Sequence, residues 1–193
     1  MKYQVNQLVP NSKYLMNSLS IEIPFEYAEK RIRMNWHDII FAIVNGYFCC
    51  EAAVEHAKAI LGHDHKHEGE LISLLCLEPN EVMYGDLFLQ KITRLADDVS
   101  EEEKEQTNEK VLFLVLLWLY DNIEDFDYPF LAIEVIYTDF DYPESIKGFI
   151  GYAQPKDPAR VGKNVMFEEW QAYLSEQSQR FAPMMPSEGS QNQ

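Results

Sequence analysis

The chain has 193 residues, and 47% of them are apolar or aromatic, which is enough to bury a core and too many for a disordered chain. Its 32 acidic and 16 basic residues give a formal net charge of −16 at pH 7. Phosphate backbones and anionic membranes attract proteins through Lys and Arg, so we expect neither nucleic acid nor a membrane surface as a partner.

The amino-terminal residues and the cysteines indicate the compartment. No apolar stretch follows a basic start, so we expect no signal peptide. The most apolar run, residues 111–120, is about half the roughly 20 residues that cross a bilayer, which predicts a core helix. The odd count of cysteines, with Cys49 next to Cys50 and Cys76 apart, argues against a disulfide framework. We therefore expect a reduced, cytoplasmic protein whose thiols lie in apolar surroundings.

The first predicted helices lie between Pro24 and Gly62. A short helix is predicted over residues 25–33. Asn35 is a suitable N-cap for the next helix, and Gly46 stands at the position after its end. A third helix is predicted over residues 49–61. The inward positions are Ile39, Ile40, Ile43 and Val44 in the second helix and Ala53, Ala57 and Ile60 in the third.

The middle of the chain is less regular. Residues 63–69 read as a polar connector, and residues 70–77 are too short to separate helix from strand by their periodicity. Pro79 and Gly85 interrupt regular structure in the stretch before a helix predicted over residues 86–96. Its inward positions are Leu87, Ile92 and Leu95.

The clearest predicted element is a long helix over about residues 101–122. Ser100 and Glu103 have the spacing of a capping box, in which each side chain accepts a hydrogen bond from the other residue's backbone N–H. The second half of this helix is apolar on every side, so we expect it to be the central helix of the fold.

Proline positions organise the last third of the chain. Pro129 and Pro143 both fit the first position of a helix, over residues 130–138 and 144–150. A loop is expected around residues 151–162, marked by Gly151, Pro155, Pro158 and Gly162. A final helix over 167–181 turns Phe167, Trp170 and Leu174 to one side. We therefore predict a single, compact, all-α domain over residues 1–182 and a disordered tail over 183–193.

One short sequence motif is repeated. The pentapeptide Asp-Phe-Asp-Tyr-Pro occurs at residues 125–129 and again at 139–143. It is either a pair of equivalent helix starts or a pair of acidic, aromatic loops presented side by side, and the pattern leaves both open.

Catalytic signatures are sparse, so we expect a protein that is not an enzyme and needs no cofactor. No nucleophile elbow, dinucleotide-binding glycine motif or phosphate loop is present. His63, His65 and His67 form a weak candidate metal site, because structural metal ligands usually come from separate elements. A small helical metal protein or enzyme remains an alternative, as does a cytoplasmic adaptor.

The negative charge is concentrated in one quarter of the chain. Residues 97–144 hold fifteen acidic and two basic residues. In the second half of this region, carboxylates alternate with aromatic residues, a combination that suits docking of a Lys- and Arg-rich protein site. The candidate partner-binding residues are Glu124, Asp125, Asp127, Tyr128, Asp139, Asp141, Tyr142 and Glu144.

Three segments carry a resemblance to a known family. They are residues 36–47, 118–120 and 137–143, with the sequences Trp-His-Asp-Ile-Ile-Phe-Ala-Ile-Val-Asn-Gly-Tyr, Trp-Leu-Tyr and Tyr-Thr-Asp-Phe-Asp-Tyr-Pro. They resemble a bacterial family catalogued as a domain of unknown function, over about residues 30–175. Such domains occur among the immunity proteins of polymorphic toxin and contact-dependent growth inhibition systems.

The resemblance implies a function but carries over no functional residues. It implies an inhibitor that binds its own cognate toxin, an RNase of the EndoU kind, inside the producing cell. The acidic charge points the same way independently, because a nuclease site must be basic to hold RNA. We therefore expect a non-catalytic immunity protein whose partner is a basic toxin domain.

Overall fold

The computed structural model describes residues 17–78, 86–152 and 162–182. Within these ranges the chain forms eight α-helices, two 3₁₀ helices and no strand, so the predicted all-α class is confirmed. The 3₁₀ helices are Ile123–Asp125 and Glu144–Phe149. The α-helices are α1 Phe25–Glu29, α2 Trp36–Val44, α3 Glu51–Ile60, α4 Glu68–Leu75, α5 Asp86–Leu95, α6 Glu101–Asp121, α7 Pro129–Asp139 and α8 Lys163–Phe181.

Helix α6 is the central element, as the sequence predicts. Its capping box is present: Ser100 Oγ accepts from the Glu103 N–H at 3.3 Å, and the Glu103 carboxylate accepts from the Ser100 N–H at 3.2 Å. Leu119 and every residue from Val111 to Leu116 are at most 1% exposed. Helices α2 and α8 pack against α6, and the buried apolar residues form one core, which is consistent with a single domain.

The start and end of α2 also agree with the prediction. Asn35 caps its first turn, and Gly46 follows its end with a φ of +76°. Helix α1 ends at Glu29, four residues before the predicted end, because the chain turns there and the Arg33 N–H bonds to the Phe181 carbonyl at 3.2 Å. Of residues 70–77, which periodicity left undecided, residues 70–75 belong to α4, and its Leu71 and Leu74 are fully buried. The polar connector therefore ends at His67.

The predicted α-helix after Pro143 is wrong. Residues Glu144–Phe149 form a 3₁₀ helix instead, and Pro143 precedes it with an extended ψ of 127°. In a 3₁₀ helix residues three apart face the same side, and this places Ile146 and Phe149 together in the core against α8.

Several predicted inward positions are also corrected. In α5, Leu87 is 49% exposed, and the larger Phe88 beside it is buried together with Ile92 and Leu95. In α2 the buried set includes Phe41 and Ala42, while Ile43 and Val44 are only partly buried. Ile60 of α3 is likewise partly buried.

The cysteines differ from the expectation in their surroundings. All three are free thiols, but Cys49 and Cys76 are exposed rather than packed among apolar groups. Cys50 is half-buried, and burial raises the pKa of its thiol. No helix among the described residues has the length and apolarity to cross a bilayer. The predictions for Pro79, Gly85, Pro155, Pro158 and the tail 183–193 lie outside the described residues.

Candidate functional site

The first copy of the repeated pentapeptide lies in an exposed turn between α6 and α7. We call residues 124–128 the first acidic loop. Glu124 and Asp125 complete the 3₁₀ helix Ile123–Asp125, and Asp127 follows; all three are exposed. Tyr128 is 75% exposed and directly precedes Pro129, the first residue of α7. The loop thus presents three carboxylates beside one aromatic ring.

An aromatic contact anchors this loop to the core. Phe126 is partly buried and meets the Trp118 ring edge-on, at 6.3 Å between centroids. Trp118, expected in the core, is itself partly buried against it. The flanking residues therefore stay at the surface while Phe126 is held in place.

The second copy has a different environment. We call residues 139–144 the second acidic loop. Asp139 is only 8% exposed, and its two carboxylate oxygens accept from the Ser18 backbone N–H at 2.8 Å and the Ser18 hydroxyl at 2.7 Å. Phe140 is 2% exposed and packs on Tyr47, at 5.7 Å between ring centroids. A carboxylate enclosed in this way is a poor contact for another protein, so we leave Asp139 out of the candidate surface.

The rest of the second acidic loop returns to the surface through an unusual backbone. Asp141 and Tyr142 have φ values of +62° and +61°, in the left-handed region that non-glycine residues seldom adopt. Tyr142 is 55% exposed and packs edge-on against the buried Tyr137, which was expected in the core. The Glu144 carboxylate binds Lys147 Nζ at 3.0 Å and raises the pKa of that lysine.

The two copies lie at opposite ends of α7. The first copy ends with Pro129, the residue that begins α7, and the second starts with Asp139, the residue that ends it. The helix between them has 11 residues, which is about 16 Å at 1.5 Å per residue. They are therefore neither two equivalent helix starts nor a pair of adjoining loops.

One side of α7 connects the two loops with partly apolar surface. Tyr128, Leu131, Val135 and Thr138 follow the spacing of one helix side, and we call them the α7 stripe. Leu131 is 58% exposed, Thr138 is exposed and Val135 is half-buried. Exposed Tyr128 and Leu131 are one turn apart, which gives the first acidic loop an apolar neighbour.

The charge of the first acidic loop has little local compensation. Glu124, Asp125 and Asp127 form no ion pair with any residue of the three described ranges. The neighbouring Asp121 does have partners, because its carboxylate accepts from Arg31 and from the Tyr27 hydroxyl, each at 2.9 Å. This contact raises the pKa of Tyr27, although burial raises it more. The three carboxylates of this loop that have no ion pair thus lie within four residues of Tyr128.

The histidine run forms a contact between segments. His67 Nδ1 lies 2.8 Å from an Asp64 carboxylate oxygen, and its Nε2 hydrogen-bonds to Asp98. These carboxylates, Asp64 most strongly, raise the pKa of His67. Across residues 17–78, 86–152 and 162–182, no group of three or more His, Cys, Asp or Glu side chains is arranged to hold a metal ion, so His63, His65 and His67 are not brought together as a site.

A buried polar cluster was missed by sequence reasoning. Asp38 is fully buried between α2 and α6, where it accepts from Lys110 Nζ at 2.8 Å and from the Thr107 hydroxyl at 2.5 Å. Because that hydroxyl donates to Asp38, its oxygen accepts from His37 Nδ1 at 3.0 Å. Burial lowers the pKa of His37. The sequence signal for this cluster was Lys110 beside an apolar run. A buried carboxylate that pairs with a lysine of another helix links the two helices.

These features define an all-helical protein with an acidic, aromatic surface at the start of α7. The chain belongs to the bacterial family described as "Uncharacterized protein conserved in bacteria (DUF2247)", which matches residues 25–178. No curated protein and no solved structure matches the chain.

Proposed function

We propose that this protein is a cytoplasmic, non-catalytic immunity protein that neutralises a basic antibacterial toxin by binding it. The observation that carries the proposal is the first acidic loop. There, Glu124, Asp125 and Asp127 are exposed without an ion pair among the described residues, and they lie within four residues of Tyr128, which is 75% exposed. Concentrated charge speeds the encounter with a partner of opposite charge, and an aromatic anchor adds buried area once the two proteins meet.

The charge distribution favours one class of toxin. A nuclease needs a basic surface to hold its phosphate substrate, so an acidic protein can cover that surface and exclude the substrate. An RNase toxin of the EndoU type fits this requirement. The surface that we assign to the contact is the first acidic loop with Leu131, joined at the other end of α7 by Asp141, Tyr142 and Glu144.

We expect a toxin domain to be encoded immediately upstream, and the direct test is co-expression with it. We expect sensitive cells that express the toxin to survive when this protein is present, and a stoichiometric complex to co-purify. Toxicity that is unchanged, with no complex, would contradict the proposed function.

The position of the surface is tested by charge reversal at matched sites. Asp125→Lys with Asp127→Lys should weaken toxin binding by about a hundredfold, because close charge pairs across an interface contribute on the order of 3 kcal/mol. The control is Glu102→Lys with Glu105→Lys. It changes the net charge by the same amount at exposed residues of the far end of α6, which spans 21 residues. Equal weakening by both double variants would show that overall charge, not the first acidic loop, determines binding.

A further inference from the structure

Two exposed tyrosines lie against one buried tyrosine near the end of α7. Tyr142 of the second acidic loop is 55% exposed, and Tyr152, three residues after the 3₁₀ helix Glu144–Phe149, is 61% exposed. Both rings contact the ring of Tyr137, at 5.3 Å and 6.2 Å between centroids, and Tyr137 itself is buried. We call Tyr137, Tyr142 and Tyr152 the tyrosine cluster. Exposed aromatic rings that are held in place by the core are well suited to contact another molecule.

The spacing of the exposed rings fits a cation. The face of an aromatic ring attracts a cation that lies within about 6 Å of its centroid, so two rings that share one cation can be at most about 12 Å apart. The centroids of Tyr142 and Tyr152 are no further apart than their two distances to Tyr137 combined, which is below this limit. Across residues 17–78, 86–152 and 162–182, no lysine or arginine lies over a ring of the tyrosine cluster.

A carboxylate without a partner lies at the edge of the cluster. Glu134 is half-buried one turn before Tyr137 on α7, and its Oε1 would be 3.2 Å from a Cβ atom placed on Gly151, the residue before Tyr152. Its side chain has no ion pair and no hydrogen bond with the described residues. A half-buried charge without a partner is costly, so Glu134 favours a cation supplied from outside the chain.

The lysine of this segment does not supply that cation. Lys147 Nζ binds both carboxylate oxygens of Glu144, at 3.0 Å and 3.1 Å. Its charge is therefore already compensated within the 3₁₀ helix.

An arginine side chain matches both the rings and the carboxylate. Its planar guanidinium stacks on aromatic faces and donates to a carboxylate through a fork of N–H groups, which an ammonium group does not do. Because Tyr142 and Tyr152 are more than half exposed, the site is an open surface rather than an enclosed cavity. Small molecules bind mainly in concave pockets, so an open surface of this kind favours a side chain of another protein.

We propose that the tyrosine cluster and Glu134 bind an arginine side chain of a protein partner. The guanidinium lies against the rings of Tyr142 and Tyr152 and pairs with the Glu134 carboxylate, while Tyr137 supports both rings from the core. That the partner is a toxin rests on the proposed function, whereas the selectivity for arginine rests on these four residues.

The first test uses the full chain labelled with ¹⁵N-tyrosine and two peptides at constant ionic strength. One is acetyl-Gly-Arg-Gly-amide, and the other has citrulline, the uncharged analogue of arginine, in the central position. We expect the arginine peptide to shift the amide signals of Tyr142 and Tyr152 with a dissociation constant on the order of 10 mM, because one side chain contributes little affinity. The citrulline peptide should bind about fivefold more weakly. No shift up to about 50 mM arginine peptide, or equal affinity for the two peptides, would overturn the proposal.

Four variants locate the binding. Tyr142→Leu with Tyr152→Leu should weaken binding of the arginine peptide about fivefold, and Glu134→Gln about threefold, because each removes one of the two interactions. Tyr142→Phe with Tyr152→Phe should bind like the wild type, because the ring faces remain. The control is Tyr128→Leu, which removes a 75% exposed tyrosine of the first acidic loop and should have no effect. Equal weakening by this control would show a general attraction of cations to an acidic protein and would overturn the site.

The toxin complex separates this proposal from the proposed function. We expect Tyr142→Leu with Tyr152→Leu to weaken toxin binding about tenfold, and the double Phe variant to restore it. Toxin binding that the double Leu variant leaves unchanged would overturn the arginine contact while the immunity function stands. Arginine-selective peptide binding without any toxin complex would contradict the proposed function and support the site.

Discussion

The two copies of Asp-Phe-Asp-Tyr-Pro have the same five residues and opposite environments. In the first copy Phe126 packs against the core, and the acids around it face solvent. In the second, Asp139 and Phe140 are buried, and the backbone turns through two residues with positive φ. The same local sequence therefore forms an exposed loop at one end of α7 and a partly buried turn, packed against the core, at the other.

The difference comes from what packs on each copy. Ser18 supplies both hydrogen bonds to Asp139, and Tyr47 supplies the ring that covers Phe140. Both residues are distant in sequence, 121 positions away in the case of Ser18. No described residue covers Asp125 or Asp127 in this way. Tertiary contacts, rather than the pentapeptide itself, therefore decide which copy remains available to a partner.

The largest expected difference is between the two phenylalanines. Phe140→Ala should lower the free energy of unfolding by about 3–5 kcal/mol, because it empties a fully packed site. Phe126→Ala should cost about 1–2 kcal/mol, since this ring is only partly buried. Urea unfolding monitored by circular dichroism measures both values. Equal losses would mean that the two rings have equivalent packing.

An intermediate difference is expected between the first aspartates of the two copies. Asp139→Ala should lower the free energy of unfolding by about 2 kcal/mol, because it leaves the Ser18 N–H and hydroxyl without their charged acceptor. Asp125→Ala should change it by no more than about 0.5 kcal/mol, as is usual for an exposed residue. A Ser18→Ala variant provides the check: added to Asp139→Ala, it should have little further effect.

The smallest expected difference concerns the second aspartate of each copy, Asp127 and Asp141. The order of stability of the Gly and Ala variants should be reversed between these two positions. At Asp141, Gly should be more stable than Ala by about 1 kcal/mol, because a positive φ is strained for any residue with a Cβ atom. At Asp127, whose φ is not positive, Ala should be more stable than Gly by up to about 1 kcal/mol. The same order at both positions in thermal unfolding would show that the backbones of the two loops do not differ as described.

Features encoded in neighbouring residues were predictable from the sequence. The capping box of Ser100, the N-cap Asn35, Gly46 after α2 and Pro129 at the start of α7 all depend on residues within one turn of a helix end. The all-α class follows from the same signals together with helical periodicity. The acidic residues of the first acidic loop could also be selected as surface candidates, because clustered carboxylates are seldom buried.

Features that join distant segments were not predictable. The pairing of Asp38 with Lys110 crosses 72 positions, and nothing near Asp38 distinguishes it from an ordinary first-turn acid. The tyrosine cluster requires α7, the second acidic loop and the segment after the 3₁₀ helix together. The sequence around Pro143 matches the start of an α-helix, but the residues after it form a 3₁₀ helix. This 3₁₀ helix packs Ile146 and Phe149 against α8.

By itself, the sequence determined the helical class, most helix starts, the central place of α6 and the region of concentrated negative charge. Each of these depends on hydrogen bonds and periodicity within a few residues, or on composition alone. Only the tertiary structure decided that Asp139 is enclosed while Asp125 and Asp127 are exposed, and that Tyr142 and Tyr152 lie against Tyr137. Burial is set by residues that meet only after folding, so identical pentapeptides can receive different neighbours and different roles.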